Sequence, residues 1–256
     1  MRATERTGCL ASMPLILVLL LLWEAITRIG LLSPVFFPPA TVVAATLWRL
    51  FGSGDLAGHA GRTLSRMICA FSVGAGTALV LGLCMGWSRR LRRVFDPLVA
   101  AFHPVPKTAL LPLFMILVGM GDGSKIAVAA LAAFFPMLIN AMAGVCQISP
   151  VHFEVAQNFG ASPGKVFARV VLPGSLPMVM AGARVAFNSA LVVTIAVELL
   201  TARRGLGAVI WQAWETMRTE ELYAAITVSA VIGIGCSALL ARLTDWLVPW
   251  QVRQEI

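Results

Sequence analysis

Six stretches of about twenty predominantly apolar residues constrain this chain more than any other feature. They run over roughly 13–30, 67–87, 95–118, 125–147, 177–200 and 223–248. A run of that length matches the hydrocarbon thickness of a bilayer, and a backbone there must satisfy its own hydrogen bonds, so each run is read as a helix. Composition agrees. Of 256 residues, 59% are hydrophobic and 12% charged, and the mean hydropathy is +0.86. A soluble domain carries about 25% charged residues, so this chain has too few charges to coat a soluble surface. The expected fold class is an all-α polytopic membrane protein with six transmembrane helices.

The first run follows Arg2 and Arg6, as the apolar core of a signal peptide would. It continues through Trp23 and Ile26 without a small-residue cleavage site, which predicts an uncleaved helix over 1–30. Cys9 precedes the run and so does not occupy a lipoprotein cleavage position. With Cys69, Cys84, Cys146 and Cys236 it forms no CxxC pair, so the cysteines are read as small packing residues, and no metal site is expected.

The formal net charge is +8, but the positive residues are not gathered on one face or arm, so nucleic acid is not an expected partner. Arg89, Arg90, Arg92 and Arg93 lie together in a short stretch between the second and third runs. Such a cluster stays cytoplasmic. Six crossings then place both termini and residues 148–176 inside; Arg203, Arg204 and Arg218 remain outside, against the bias. On this topology 31–66 is an extracytoplasmic segment. Its Pro34, Pro38 and Pro39 precede a short helix capped by Thr41, with Val42, Ala45, Leu47 and Leu50 as the apolar face. That helix either lies at the interface or braces the first span. Gly74, Gly76, Ala78, Gly82 and Gly86 in the second run predict close helix packing.

The third run contains HPVPKTALLPL over 103–113. Three prolines there deny a continuous helix, and irregular backbone at membrane depth is tolerated where it is buried in protein or lines a cavity. Lys107 is either part of an anion path or a structural cation, and His103 is read as packed. GMGDGS over 119–124 lacks the glycine–lysine arrangement that cradles phosphates. Later runs carry Asn140, Arg184, Asn188, Ser189, Thr194 and Glu198. Asn140, Asn188, Thr194 and Glu198 join Lys107 as candidates for a substrate path, with hydrogen bonding between helices as the alternative and, for Glu198, an outer latch.

Residues 154–173, EVAQNFGASPGKVFARVVLP, form the polar element between the fourth and fifth runs. Ser149 and Pro150 suit a helix start, and Val151, Val155 and Phe159 share one face. Gly160 can end that helix in the left-handed conformation. Ser162 and Pro163 begin a second helix with Val166, Phe167, Val170 and Val171 on one side, and Leu172–Pro173 ends it. A helix–turn–helix of this kind either docks a partner or lies on the bilayer. The chain holds no phosphate loop or magnesium ligands, so any ATP would be hydrolysed elsewhere.

The spacing of Glu154, Ala156, Gly160, Leu172 and Pro173 resembles the EAA loop of permease subunits in ATP-driven (ABC) importers, with Val155 replacing the usual alanine. PVPKTALLPLFMILVGMGDGSKIA, FFPMLINAMAGV and GLGAVIWQAWETMRTEELYAAI look like the nitrate, sulfonate, taurine and bicarbonate importer subfamily, over most of residues 60–235. The resemblance implies a type I importer permease (MetI-like) fold, with residues 67–256 as the permease core. It implies a homodimer in a bacterial inner membrane, two cytoplasmic ATPase subunits that hold ATP and magnesium, and a periplasmic or lipid-anchored solute-binding protein. This chain itself would bind no cofactor and catalyse no reaction. Glu154, Val155, Ala156, Phe159, Gly160, Ala161 and Ser162 would form the ATPase-coupling elbow, Glu154 either anchoring it or meeting the ATPase. Small anions fit the subfamily. A vitamin or thiamine-precursor importer is the alternative, and an ion-coupled secondary transporter or membrane-embedded enzyme lies further off.

Overall fold

A computed structural model describes residues 2–201 and 203–250, with side chains from residue 14 onward. The side chains of Arg2, Arg6 and Cys9, and the C-terminal end whose cytoplasmic placement is expected, lie outside the described residues. Every regular element within them is helical. In order these are α1 (Arg2–Arg28), α2 (Ala40–Gly52), α3 (Asp55–Trp87), α4 (Arg89–Phe102), α5 (Leu111–Val118) and α6 (Asp122–Cys146). Then follow α7 (Pro150–Asn158), α8 (Pro163–Val166), α9 (Leu172–Thr201), α10 (Leu206–Glu215) and α11 (Thr219–Leu247). Among the described residues four continuous helices are long and apolar enough to cross a membrane: α3, α6, α11 and the Pro163–Thr201 run that ends in α9.

The third expected span is not a single helix. α4 and the Lys107–Val118 segment meet at 89°. Pro104 and Pro106 lack the amide protons a helix needs there, and the chain passes through a 3-10 turn, Lys107–Leu110, before α5. The arginine cluster is not a loop either. Only Ser88 separates α3 from α4; its side chain accepts the Leu91 amide at 3.4 Å, so the arginines form the first turn of α4.

Residues 1–61 and 199–229 form one compact unit. Thr41 does not cap α2. Pro39 occupies the N-cap position, and the acceptor comes from α1, where Glu24 takes the Thr41 amide at 3.1 Å and its hydroxyl at 2.8 Å. Arg28 holds the same carboxylate at 2.6 Å. The buried face of α2 carries Val43 and Thr46, with Val42 and Ala45 exposed, one position off the sequence expectation. Trp23 packs against Tyr223 with the rings tilted and their centroids 5.5 Å apart, and His59 Nδ1 accepts the Gly205 amide at 3.0 Å.

Residues 62–198 and 230–256 form the second unit. Its core gathers Met67, Ala78 and Met85 of α3, Ala133, Leu138 and Ala141 of α6, and Ala186 and Ala190 of α9, all buried. Lipid tails are as apolar as these side chains, so dispersion and close approach rather than escape from water favour the contact. Of the four glycines expected to mediate packing, Gly74, Gly82 and Gly86 do so. A Cβ on Gly74 would stand 2.1 Å from the Ala130 carbonyl oxygen, and one on Gly82 2.6 Å from that of Leu138. Gly86 meets Val145 in the same way, whereas Gly76 faces open space. The described cysteines are free; Cys69, Cys84 and Cys146 are exposed, and Cys236 packs beside the core. Only Cys236 thus fits the packing expectation.

Leu172–Pro173 does not terminate the element after α8. A π turn, Phe167–Val171, leads straight into α9. Proline clashes with the carbonyl four residues earlier in a regular helix. The wider turn just upstream opens that spacing and lets the run continue.

Candidate functional site

The elbow between α6 and α9 is built as its residues suggest. Pro150 opens α7 and Ser149 holds the N-cap position, though its hydroxyl makes no capping bond. At the other end Gly160 has φ of +68°. The Gly160 amide donates to the Gln157 carbonyl at 2.8 Å and the Ala161 amide to that of Ala156 at 3.0 Å. This pair of bonds is the Schellman closure, and it satisfies carbonyls that a helix end otherwise orphans. Ser162 and Pro163 then start α8, whose Val166 is buried, as is Val171.

The expected apolar stripe of α7 turns outward. Val151, Val155 and Phe159 are all exposed, Phe159 by 86%. Glu154, Gly160 and Ser162 share the exposed side, while Ala156 and Ala161 are half-buried. What pins α7 is a residue the sequence reading missed. Half-buried Phe153 lies against Trp87 at the end of α3, with ring centroids 6.2 Å apart, and Trp87 also meets Phe167 edge-on at 5.9 Å. The signal was an aromatic at each of three helix ends. Among the described residues Glu154 makes no ion pair, although it lines a cavity of about 520 Å³ with Arg89, Arg92 and Gln157.

A second cavity, of about 500 Å³, opens beside α6 and α9. Of the five substrate-path candidates the structure brings two to it, Lys107 and Asn188, together with His103 and Ser189. Phe135, Pro136 and Val192 supply apolar wall. The Lys107 ammonium is already engaged: it donates to the carbonyls of Phe102 at 3.2 Å and Val105 at 2.8 Å, and to that of His103. It also sits 4.7 Å from the Phe135 ring centroid. Lys107 therefore caps the open end of α4 while one side of it borders the cavity. Asn188 accepts a bond from Ser237 at 3.3 Å.

The other three candidates do not border this cavity. Asn140 donates back to the Pro136 carbonyl at 2.8 Å, and its Cβ lies 2.5 Å from where a Cβ on Gly182 would stand. Thr194 is 1% exposed, and among the described residues its hydroxyl has no hydrogen-bond partner. Glu198 is wholly buried. One carboxylate oxygen meets Arg66 at 2.6 Å and the other accepts from Thr63 at 2.7 Å. Arg66 also holds Asp122 at 2.7 Å, and Lys125 donates to the Gly121 carbonyl at 3.0 Å. Thr63 and Arg66 are one helical turn apart, so α3 presents both to the same carboxylate. Among the described residues no cluster of metal-ligating side chains occurs.

Comparison with known proteins places these features in context. Residues 75–253 match the model of a family described as the binding-protein-dependent transport system inner membrane component. The chain is 35% identical over 238 residues to the taurine transport system permease protein TauC of Escherichia coli (strain K12), covering 90% of this chain and 86% of that protein. It is 30% identical over 251 residues to a putative aliphatic sulfonates transport permease protein, SsuC, of Bacillus subtilis (strain 168), covering 98% and 91%. Among solved structures, a chain from inward-facing MetNI methionine ABC transporter crystals aligns with TM-score 0.62 at 17% identity, over 73% of this chain and 94% of that one.

Proposed function

Because the chain belongs to the family of binding-protein-dependent transport system inner membrane components, we propose that two copies of it enclose the path of an ATP-driven importer for a small organic sulfonate such as taurine. As a member of that family it is a transport subunit rather than an enzyme, working with an ATPase and a solute-binding protein. The observation that carries the coupling role is the elbow, a stiff helix pinned from behind by Phe153 and Trp87 and turning Val151, Val155 and Phe159 outward. ATP and magnesium bind the partner. Closing of the ATPase pair presses both elbows, and ATP drives access only to the extent that it favours one state of the permease. Glu154, unpaired and on the exposed side, meets the ATPase in this reading rather than bracing the loop. In this reading the elbow and both termini are cytoplasmic, which the arginines that open α4 support.

Substrate class rests on the names of the relatives, taurine and aliphatic sulfonates, and on the shape of the cavity at Asn188. Its wall is mostly apolar, with His103, Lys107, Asn188 and Ser189 as the few polar groups, a lining that suits a short alkyl chain ending in an oxyanion. Copurification with the adjacent ATPase and reconstitution with the binding protein test the reading. Turnover should rise with taurine or an alkanesulfonate and stay at its basal rate with a thiamine precursor. Flux driven by an ion gradient without the ATPase would overturn it.

A further inference from the structure

We propose that the start of α4 is a binding site for an anionic phospholipid, its headgroup on the arginines and its acyl chains along the helix. α4 carries four arginines in its first five residues, Arg89, Arg90, Arg92 and Arg93. They do not share one role. Arg92 is committed within the protein: it pairs with Asp96 at 3.2 Å and donates to Cys146 Sγ at 3.2 Å. Arg89, Arg90 and Arg93 are exposed and, among the described residues, have no carboxylate within 4 Å. Three guanidinium forks therefore project from a single turn with no counter-charge of their own.

Two further observations say what answers them. First, α4 has two apolar faces rather than one. Phe95 and Val99 pack against the protein core, while Leu91, Val94, Leu98 and Phe102 are exposed. The second set is spaced three, four and four residues apart, so it forms a continuous stripe that begins within the arginine turn and runs away from it. A soluble phosphate or an acidic peptide would use the charge and leave the stripe in water. A lipid uses both, and guanidinium groups bind phosphate bidentately. Second, Arg89 and Arg92 open onto the cavity of about 520 Å³ whose other walls include Trp87, Ile148 and Phe153. That gives a headgroup somewhere to sit between α3, α4 and α7. Glu154 lines the same cavity as Arg89 and Arg92, and Arg90 and Arg93 stand on the same stretch of α4, so the balance stays positive. Basic pockets between helices on the cytoplasmic side hold anionic headgroups by this combination. Because Phe153 is also the residue that seats α7, a lipid here lies beside the elbow.

Trp87 supplies the readout. The full chain, purified with its ATPase, is placed in phosphatidylcholine vesicles containing either brominated phosphatidylglycerol or brominated phosphatidylcholine at equal fraction. Quenching is assigned to Trp87 as the component lost in Trp87→Phe, since the chain holds seven tryptophans. The expected result is a preference of about tenfold for the anionic lipid, falling several-fold at high ionic strength. It should nearly vanish in R89Q/R90Q/R93Q, which leaves Arg92 and its partners intact. Because those arginines also bias orientation, R89K/R90K/R93K is run beside it: charge and topology stay, the bidentate forks go, and the preference should weaken while insertion is unchanged. Equal quenching by the two lipids overturns the proposal and hands the face to the ATPase or to bulk lipid. Displacement of the brominated lipid by millimolar inorganic phosphate also overturns it, because the site would then read a headgroup alone.

Discussion

Replacing Glu198 by alanine should destabilise the protein strongly. The carboxylate is fully buried and its partner Arg66 is 7% exposed. Removing one member of a buried pair leaves a desolvated charge, at about 3–5 kcal/mol. Here the lower end applies, because Arg66 keeps Asp122 at 2.7 Å, and the Asp122 side chain is 48% exposed. About 3 kcal/mol in a chain of this length lowers Tm by about 6–12 °C. Glu198→Gln should lose less, since the amide oxygen still accepts from Thr63. The decisive variant removes both charges. Apolar replacement of a whole buried pair is often neutral, so Arg66→Met with Glu198→Leu should cost clearly less than the two single changes added together. Thermal unfolding of the purified chain in one detergent, with all five variants side by side (the two singles Arg66→Met and Glu198→Leu included), measures this. A drop for Glu198→Ala no larger than for an exposed position would refute the reasoning, as would strict additivity in the double variant.

Gly160→Val puts a β-branched residue at φ of +68°, where nothing lies within 4 Å of a new Cβ; the penalty is backbone alone, about 1–2 kcal/mol. Transport should fall with ATPase activity retained, and Gly160→Asn, which tolerates that conformation, should restore it; normal uptake by the valine variant refutes the elbow account. Gly74→Ala drives a methyl toward the Ala130 carbonyl and should cost about 1–3 kcal/mol by overpacking, whereas Gly76→Ala, two residues on, should leave Tm within a degree or so. Lys107→Met removes three bonds to the end of α4 and should lower Tm with substrate affinity unchanged. A weakened affinity at unchanged Tm would return Lys107 to the anion path.

What the sequence revealed depended on whether the cause was local. Gly160 could be read because a left-handed helix end needs nothing beyond its own turn. The interruption near 103–113 was visible in its prolines, but the right-angle course it takes was not, since no single residue encodes a bend angle. The Arg66–Glu198 pair joins residues 132 positions apart. Buried charges leave no periodic trace, so Glu198 read as a path residue. Pro173 misled for a subtler reason: a stop signal holds only for a 3.6-residue helix, and Val166 and Val171, both buried, sit at a spacing of five. On α2 a helix-end acceptor came from Glu24, seventeen residues upstream, so Thr41 was not needed for it.

The glycine seam between α3 and α6 leaves no cushion. Where side chains interdigitate, two helices can slide by a rotamer change here and there, as gears with slack. At Gly74 and Gly82 the facing atoms are main-chain carbonyl oxygens, which cannot step aside. A screw motion of one residue along α3, a rise of about 1.5 Å with a turn of about 100°, would put the Cβ of Val73 or Ala75 where Gly74 now meets the Ala130 oxygen. At this seam the two helices therefore travel as a single beam, and a change of access that displaces one displaces the other.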